Sequence, residues 1–213
     1  MNTVKKPNTK PESYSPSEEP EVVSNAKKLF ESKKYDVYKD MPYRFDMLEL
    51  PETLKITGIA RKHDWSFANI KEFHKNYSEA MKEKYLPYVE LGVTSNIKNT
   101  DADYIYGCIV DSLDDIPDGL YSFDTGLKKF AVMTFRANNA EELVASDKHG
   151  MSLAYEYLAQ HWIPENKNIV IELNDYFQFK NDYNGKTCDM SIFEVYKCDI
   201  QNEPEMSFYI PLK

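Results

Sequence analysis

Long apolar runs are missing from this sequence. No stretch approaches the roughly 20 consecutive apolar residues that a membrane helix needs. The N-terminus, MNTVKKPNTKPESYSP, opens with charge but has no apolar core behind it, so it does not read as a secretory signal. Glycine is scarce, with 7 residues, and none builds a phosphate-cradling loop. The 3 cysteines, Cys108, Cys188 and Cys198, form no CxxC pair and no Cys/His cluster. They predict reduced thiols in a cytoplasmic protein, and neither a disulfide framework nor a zinc site. His63, His74, His149 and His161 are scattered without metal-ligand spacing. No Lys/Arg-rich stripe appears, and net charge is −9 with a pI near 5.0. That balance argues against nucleic-acid binding, where phosphate neutralisation dominates affinity. No recognisable Ser/His/Asp or Cys/His nucleophile arrangement is visible either. The expectation is a soluble chain without metal or cofactor.

What the chain does hold is unevenly distributed. Hydrophobic residues make up 42% of 213, and mean hydropathy is −0.61, so a core must be concentrated in part of the sequence. Residues 1–22 are Pro, Ser, Glu, Lys and Asn with almost nothing apolar, which predicts a disordered tail. A short helix is readable around 25–33, anchored only by Leu29 and Phe30. The expected organisation is therefore a disordered or weakly helical segment 1–40 and one folded domain 41–213.

Within that domain the pattern alternates. Residues 54–61 read as a strand, with Leu54, Ile56 and Ala60 on one face. A helix follows, capped by Ser66 or Asn69, in which Ile70, Phe73, Tyr77, Ala80 and Met81 recur at helical spacing before Pro87. Strands at 88–94 and 104–111 flank polar turn residues at 96–103. After the Pro117-Asp-Gly119 turn the order repeats: a strand at 127–136, then helix at 140–162, interrupted near Gly150 and stopped by Pro164. Strands are expected at 168–173, 176–180, 191–197 and 206–212. Strand-helix-strand-strand, twice over, predicts an α+β domain.

The aromatic share is high at 14%, from 16 Tyr, 11 Phe and 2 Trp. Aromatic rings supply flat apolar walls, and tyrosine adds a polar handle for orienting a ligand. Tyr104 and Tyr106 project to one side of their strand, which suits core packing as well as a pocket wall. Near the C-terminus, Ile192-Phe-Glu-Val-Tyr196 sets a carboxylate between apolar neighbours. Burial disfavours its charged form, so Glu194 must find a partner, stay neutral, meet a ligand, or face solvent.

Four local motifs resemble the GyrI-like small-molecule-binding domain, which is also the effector-binding domain of AraC- and MerR-type bacterial transcription regulators. They are Tyr104-Ile-Tyr-Gly-Cys-Ile-Val-Asp111 running into Ile116-Pro-Asp-Gly-Leu120; Gly126-Leu-Lys-Lys-Phe-Ala-Val-Met133; His161-Trp-Ile-Pro164; and Phe193-Glu-Val-Tyr196 followed by the terminal Tyr209-Ile-Pro-Leu-Lys213. Together they extend over 54–213. The resemblance, shared with the SOUL-type fold, implies two halves related by a pseudo-twofold axis. An antiparallel sheet and two helices then flank a cleft. No residue matches an axial haem ligand, so haem is not implied.

The same resemblance implies an aromatic cleft with a glutamate at its base. It nominates Tyr104, Tyr106, Phe73, Tyr77, Trp162 and Tyr196 as lining residues and Glu194 as the centre. Glu194 lies 32 positions after Trp162, farther than the family pattern. The family spacing falls instead at Phe177 and Gln178. Either a hairpin is inserted around 182–189, or Gln178 replaces the glutamate; the insertion is the preferred reading. Three functions follow as expectations. One is drug or toxin binding, multidrug-like, with Glu194 as counter-charge to an amphipathic aromatic or cationic compound, alone or with a separate transcription regulator. Another is hydrolysis of strained cyclopropane-type genotoxins, with Glu194 as acid/base and Tyr106 or Tyr104 assisting. The third is a gyrase-inhibitor-like contact with a protein partner. Whether the chain is an enzyme stays open at this point.

Overall fold

The computed structural model describes residues 34–62, 72–73, 75–77, 88–92, 104–183, 186–196 and 200–213. Eleven strands are seen among these: β1 Asp36–Tyr38, β2 Met41–Glu49, β3 Lys55–Arg61, β4 Tyr88–Gly92, β5 Tyr104–Val110, β6 Tyr121–Asp124, β7 Lys129–Arg136, β8 Gln178–Tyr183, β9 Lys186–Ser191, β10 Phe193–Tyr196 and β11 Glu205–Pro211. Nine of them form one antiparallel sheet in the order β1-β2-β7-β11-β10-β4-β5-β3-β6, and β8 pairs with β9 as a separate hairpin.

The order around the centre is palindromic. The first half contributes β3, β4 and β5, the second β7, β10 and β11. Read outward from the β4/β10 seam, each half runs second strand, third strand, first strand. This is the two-half α+β arrangement expected from the repeat of strand-helix-strand-strand. Outside it lie β1 and β2 on one edge and β6 on the other, three strands that the sequence pattern did not mark.

Helices cover one face. In the second half they are α1 (Ala140–Val144), α2 (Gly150–Tyr157), a π-helical turn (Leu158–Trp162) and α3 (Ile163–Asn166). Asn139 caps α1 by accepting the Glu142 N–H at 2.9 Å. The expected interruption falls at Gly150, whose φ is +49°; a Cβ there would meet the Leu143 carbonyl oxygen at 2.4 Å. Buried Leu153, Ala154 and Leu158 seat α2 on the sheet over β7 and β2. In the first half, residues 72–73 and 75–77 are helical, and Phe73 is fully buried with Ile59, Cys108 and Val110. The opposite face is covered in part by the β8–β9 hairpin, whose Phe179 and Met190 pack with Phe193 and Val195.

Several expectations need correction. Pro164 does not stop the helix: the chain runs on through it from the π-helical turn and stays helical to Asn166. Residues 168–173 are not a strand and contribute a single bridge, Val170 to Leu212. The sheet begins at Asp36, inside the segment expected to be tail, because β1 pairs with β2 and the Tyr35 hydroxyl bonds Glu205 at 2.5 Å. The strand expected at 54–61 is β3, with Leu54, Ile56 and Ala60 together in one core cluster and Ile59 in the cluster on the other face. The tail 1–33, the helix at 25–33 and the turn at 96–103 lie outside the described residues. Among those described, no helix is long and apolar enough to cross a membrane.

Candidate ligand site

Directly opposed residues of an antiparallel ladder share a face. One row across the helix-covered face therefore reads Phe45, Met133, Phe208, Glu194, Glu90, Tyr106 and Ile59. Apolar positions dominate its two ends, and the acidic positions meet at the seam between the halves. Glu194 and Glu90 are register partners there, flanked by the opposed pair Tyr196 and Tyr88.

Glu194 is half-buried on an otherwise buried strand. Its carboxylate is held from two directions. The Tyr155 hydroxyl on α2 donates to Oε1 at 2.6 Å, and the Tyr196 hydroxyl donates to Oε2 at 2.9 Å. Burial pushes the Glu194 carboxyl above its ordinary value, and the two phenol bonds pull the other way. Desolvation is the larger influence. Aromatic rings surround its donor: Tyr155 lies 4.4 Å from Phe208 and 4.8 Å from Phe177, centroid to centroid. A doubly held carboxylate of this kind can accept a ligand N–H or balance an organic cation. Carrying a proton, it can also serve as an acid.

The other nominated residues scatter around this centre. The Tyr196 hydroxyl is on Glu194 itself. Tyr106 is fully buried, two strands from Glu194 along the row, so roughly 10 Å away at ordinary strand spacing. The half-buried Tyr104 packs its ring 5.2 Å from that of Tyr106. Phe73 and Tyr77 contact each other at 5.8 Å, and the Tyr77 hydroxyl approaches Gly119. Trp162 stacks on Phe45 at 4.7 Å and 6°, three strands from Glu194. There it joins Tyr38, Tyr43, Tyr157 and His161 in an aromatic cluster along β2. Gln178 begins the hairpin and hydrogen-bonds Asn174 at 3.0 Å. Gln178 lies on the separate β8–β9 hairpin, between Trp162 and Glu194 in sequence, whereas Glu194 lies on β10 in the nine-stranded sheet.

No known family profile matches this sequence, and no curated protein sequence does. Thirteen solved chains are similar in structure. One is an integron cassette protein from the mobile metagenome of Vibrio cholerae, 10% identical at a TM-score of 0.39, covering 82% of this chain and 100% of that one. Another belongs to the EcmrR–DNA complex seen by cryo-electron microscopy, 15% identical at a TM-score of 0.42, covering 80% of this chain and 57% of that one.

Two residues at the site escaped the sequence reading. Tyr155 sits beside the apolar stripe of α2, between buried Ala154 and half-buried Glu156, where a tyrosine reads as a surface residue. Phe177 sits in a polar turn. The signal for it in the sequence is its place in the aromatic run Tyr176-Phe-Gln-Phe179.

Proposed function

We propose that this protein is a GyrI-like small-molecule-binding domain that takes an amphipathic aromatic or cationic compound at the seam between its halves. The observation that carries the reading is Glu194: a half-buried carboxylate at the centre of the sheet, fixed by two phenols and bordered by aromatic rings. A charge in such surroundings is costly without a partner, and an organic cation supplies one. Pre-formed phenol bonds hold the acceptor in place before the ligand arrives, which limits the entropy lost on binding. Sensing or sequestration of a drug or toxin, alone or beside a separate regulator, is the role this chemistry serves.

Titration of a planar cationic dye tests the reading. Wild-type protein should bind at least about tenfold more tightly than Glu194→Gln, a difference of about 1.4 kcal/mol. Equal affinities would remove Glu194 from the site.

One observation supports a second reading. A carboxyl whose pKa is raised by burial holds a proton closer to neutral pH and can act as a general acid or base toward a strained electrophile. Incubation with a cyclopropane-bearing alkylator, followed by mass analysis, decides it. Turnover no faster than in buffer eliminates hydrolysis.

A further inference from the structure

We infer that Phe177 is a positioning residue for the Glu194 carboxylate, acting through the ring of Tyr155. Phe177 has a φ of +55°, the left-handed region that side chains other than glycine seldom adopt. The turn around it is heavily bonded. Asn174 Oδ1 accepts the Tyr176 N–H at 2.9 Å and the Gln178 N–H at 3.0 Å, and the Asn174 carbonyl accepts the Phe177 N–H at 3.0 Å. The Gln178 carbonyl accepts the Asn174 N–H at 2.9 Å, and the Phe177 carbonyl accepts the Ile192 N–H at 3.0 Å. The last bond ties the turn to the residue two before Glu194. An unfavourable backbone conformation persists only where its surroundings over-determine it, and these five bonds do so.

The consequence is the placement of one ring. Phe177 lies 4.8 Å from Tyr155, and Phe208 lies 4.4 Å from it. Phe208 itself stands opposite Glu194 in the ladder. Among the described residues, the rings of Phe177 and Phe208 both pack on the phenol of Tyr155, and with its ring held there its hydroxyl meets Oε1 at 2.6 Å. Without Phe177, one of these contacts is gone, and the ring can turn away from the carboxylate. The turn that leads into the β8–β9 hairpin thus carries a residue that serves the site. The importance of this for binding rests on the proposed cation-binding function; the positioning itself does not.

Among the described residues, Tyr155 from α2 and Tyr196 from its own strand bear on the titration of Glu194, and Glu90 holds the opposed register position. The experiment follows the Glu194 carboxyl carbon by NMR in full-length protein labelled at glutamate, assigned with Glu194→Gln, and needs no ligand. A phenol bond favours the charged form, so losing it raises the midpoint. Tyr155→Phe should raise it, and Phe177→Ala should give at least half that rise. The double variant should go no further than Tyr155→Phe alone, while Phe177→Tyr, which keeps a ring, should restore the wild-type midpoint. Phe177→Gly relieves the backbone and keeps the protein folded if the alanine variant does not; it should show the same upward shift without a loss of melting temperature. A wild-type midpoint in folded Phe177→Ala or Phe177→Gly, beside a shifted one in Tyr155→Phe, overturns the inference. Dye affinity measured on the same variants separates this result from failure of the binding reading.

Discussion

The Tyr155 hydroxyl, carried by a helix, donates a 2.6 Å hydrogen bond to Glu194, a strand residue 39 positions later. The helix that packs the second half against the sheet thereby also holds the acidic group at the seam with the first half. Substitutions at this pair should separate stability from binding.

Glu194→Gln should make the protein more stable at neutral pH. The folded pKa of Glu194 lies above the ordinary 4.5, so between these two values the native state binds more protons than the unfolded chain. Stability then falls as pH rises through that window, and the loss is complete above the folded pKa. Glutamine escapes this penalty, which is about 1.4 kcal/mol for every tenfold difference in proton affinity between the folded and unfolded chains. Denaturant curves should show the variant ahead at pH 7, with its advantage gone below pH 4. A variant less stable than wild type at pH 7 would mean that Glu194 is a net structural asset.

Binding of a permanently charged cation should follow the opposite slope. Only ionised Glu194 attracts it, so affinity should fall about tenfold per pH unit below the midpoint of the free protein. Complex formation favours the carboxylate and should release protons near that midpoint. Calorimetry in buffers of different ionisation enthalpy measures the release directly. A pH-independent affinity with no proton exchange would place the cation elsewhere.

The sheet was more legible than the site. Strands β3, β5 and β7 were visible because β-branched and aromatic residues cluster between turn signals, and Gly150 marked the helix break through its backbone alone. The edge strands were harder to read. In β2, charged Arg44 and Asp46 interrupt the apolar pattern although both are buried, and β1 has just three residues. Missing β2 also misplaced Trp162, since its stacking partner Phe45 belongs to that strand. Glu194 announced itself as a carboxylate among apolar neighbours, but Tyr155 could not, because its partner is fixed by tertiary packing and not by helical period.

Two glycines that face each other should tolerate no side chain. Gly58 and Gly107 are paired across β3 and β5, where a Cβ on the first would lie 2.2 Å from the Tyr106 carbonyl oxygen and one on the second 1.9 Å from that of Thr57. Both obstacles are backbone, so nothing can rotate aside. Alanine at either position should cost at least about 3 kcal/mol or abolish folding. Gly126→Ala is the control: its φ is +71° but its surroundings are open. It should cost about 1 kcal/mol from conformation alone. Thermal melts that rank Gly126→Ala as the worst of the three would contradict the packing.

Phe193 offers the reverse of Glu194 on the same strand. Neighbouring strand residues point to opposite faces, so Phe193 enters the hairpin-covered core, fully buried, with Phe130 at 5.8 Å and Phe179 at 6.3 Å. Phe193→Leu keeps that face apolar but loses volume and ring contacts, at a cost of about 1–2 kcal/mol. None of this reaches the phenols on the other face. The variant should melt lower yet bind the cationic dye as wild type does at 25 °C, with an unchanged pH midpoint. A loss of affinity exceeding about threefold would show that the two faces of β10 are coupled, and that the back core takes part in shaping the ligand site.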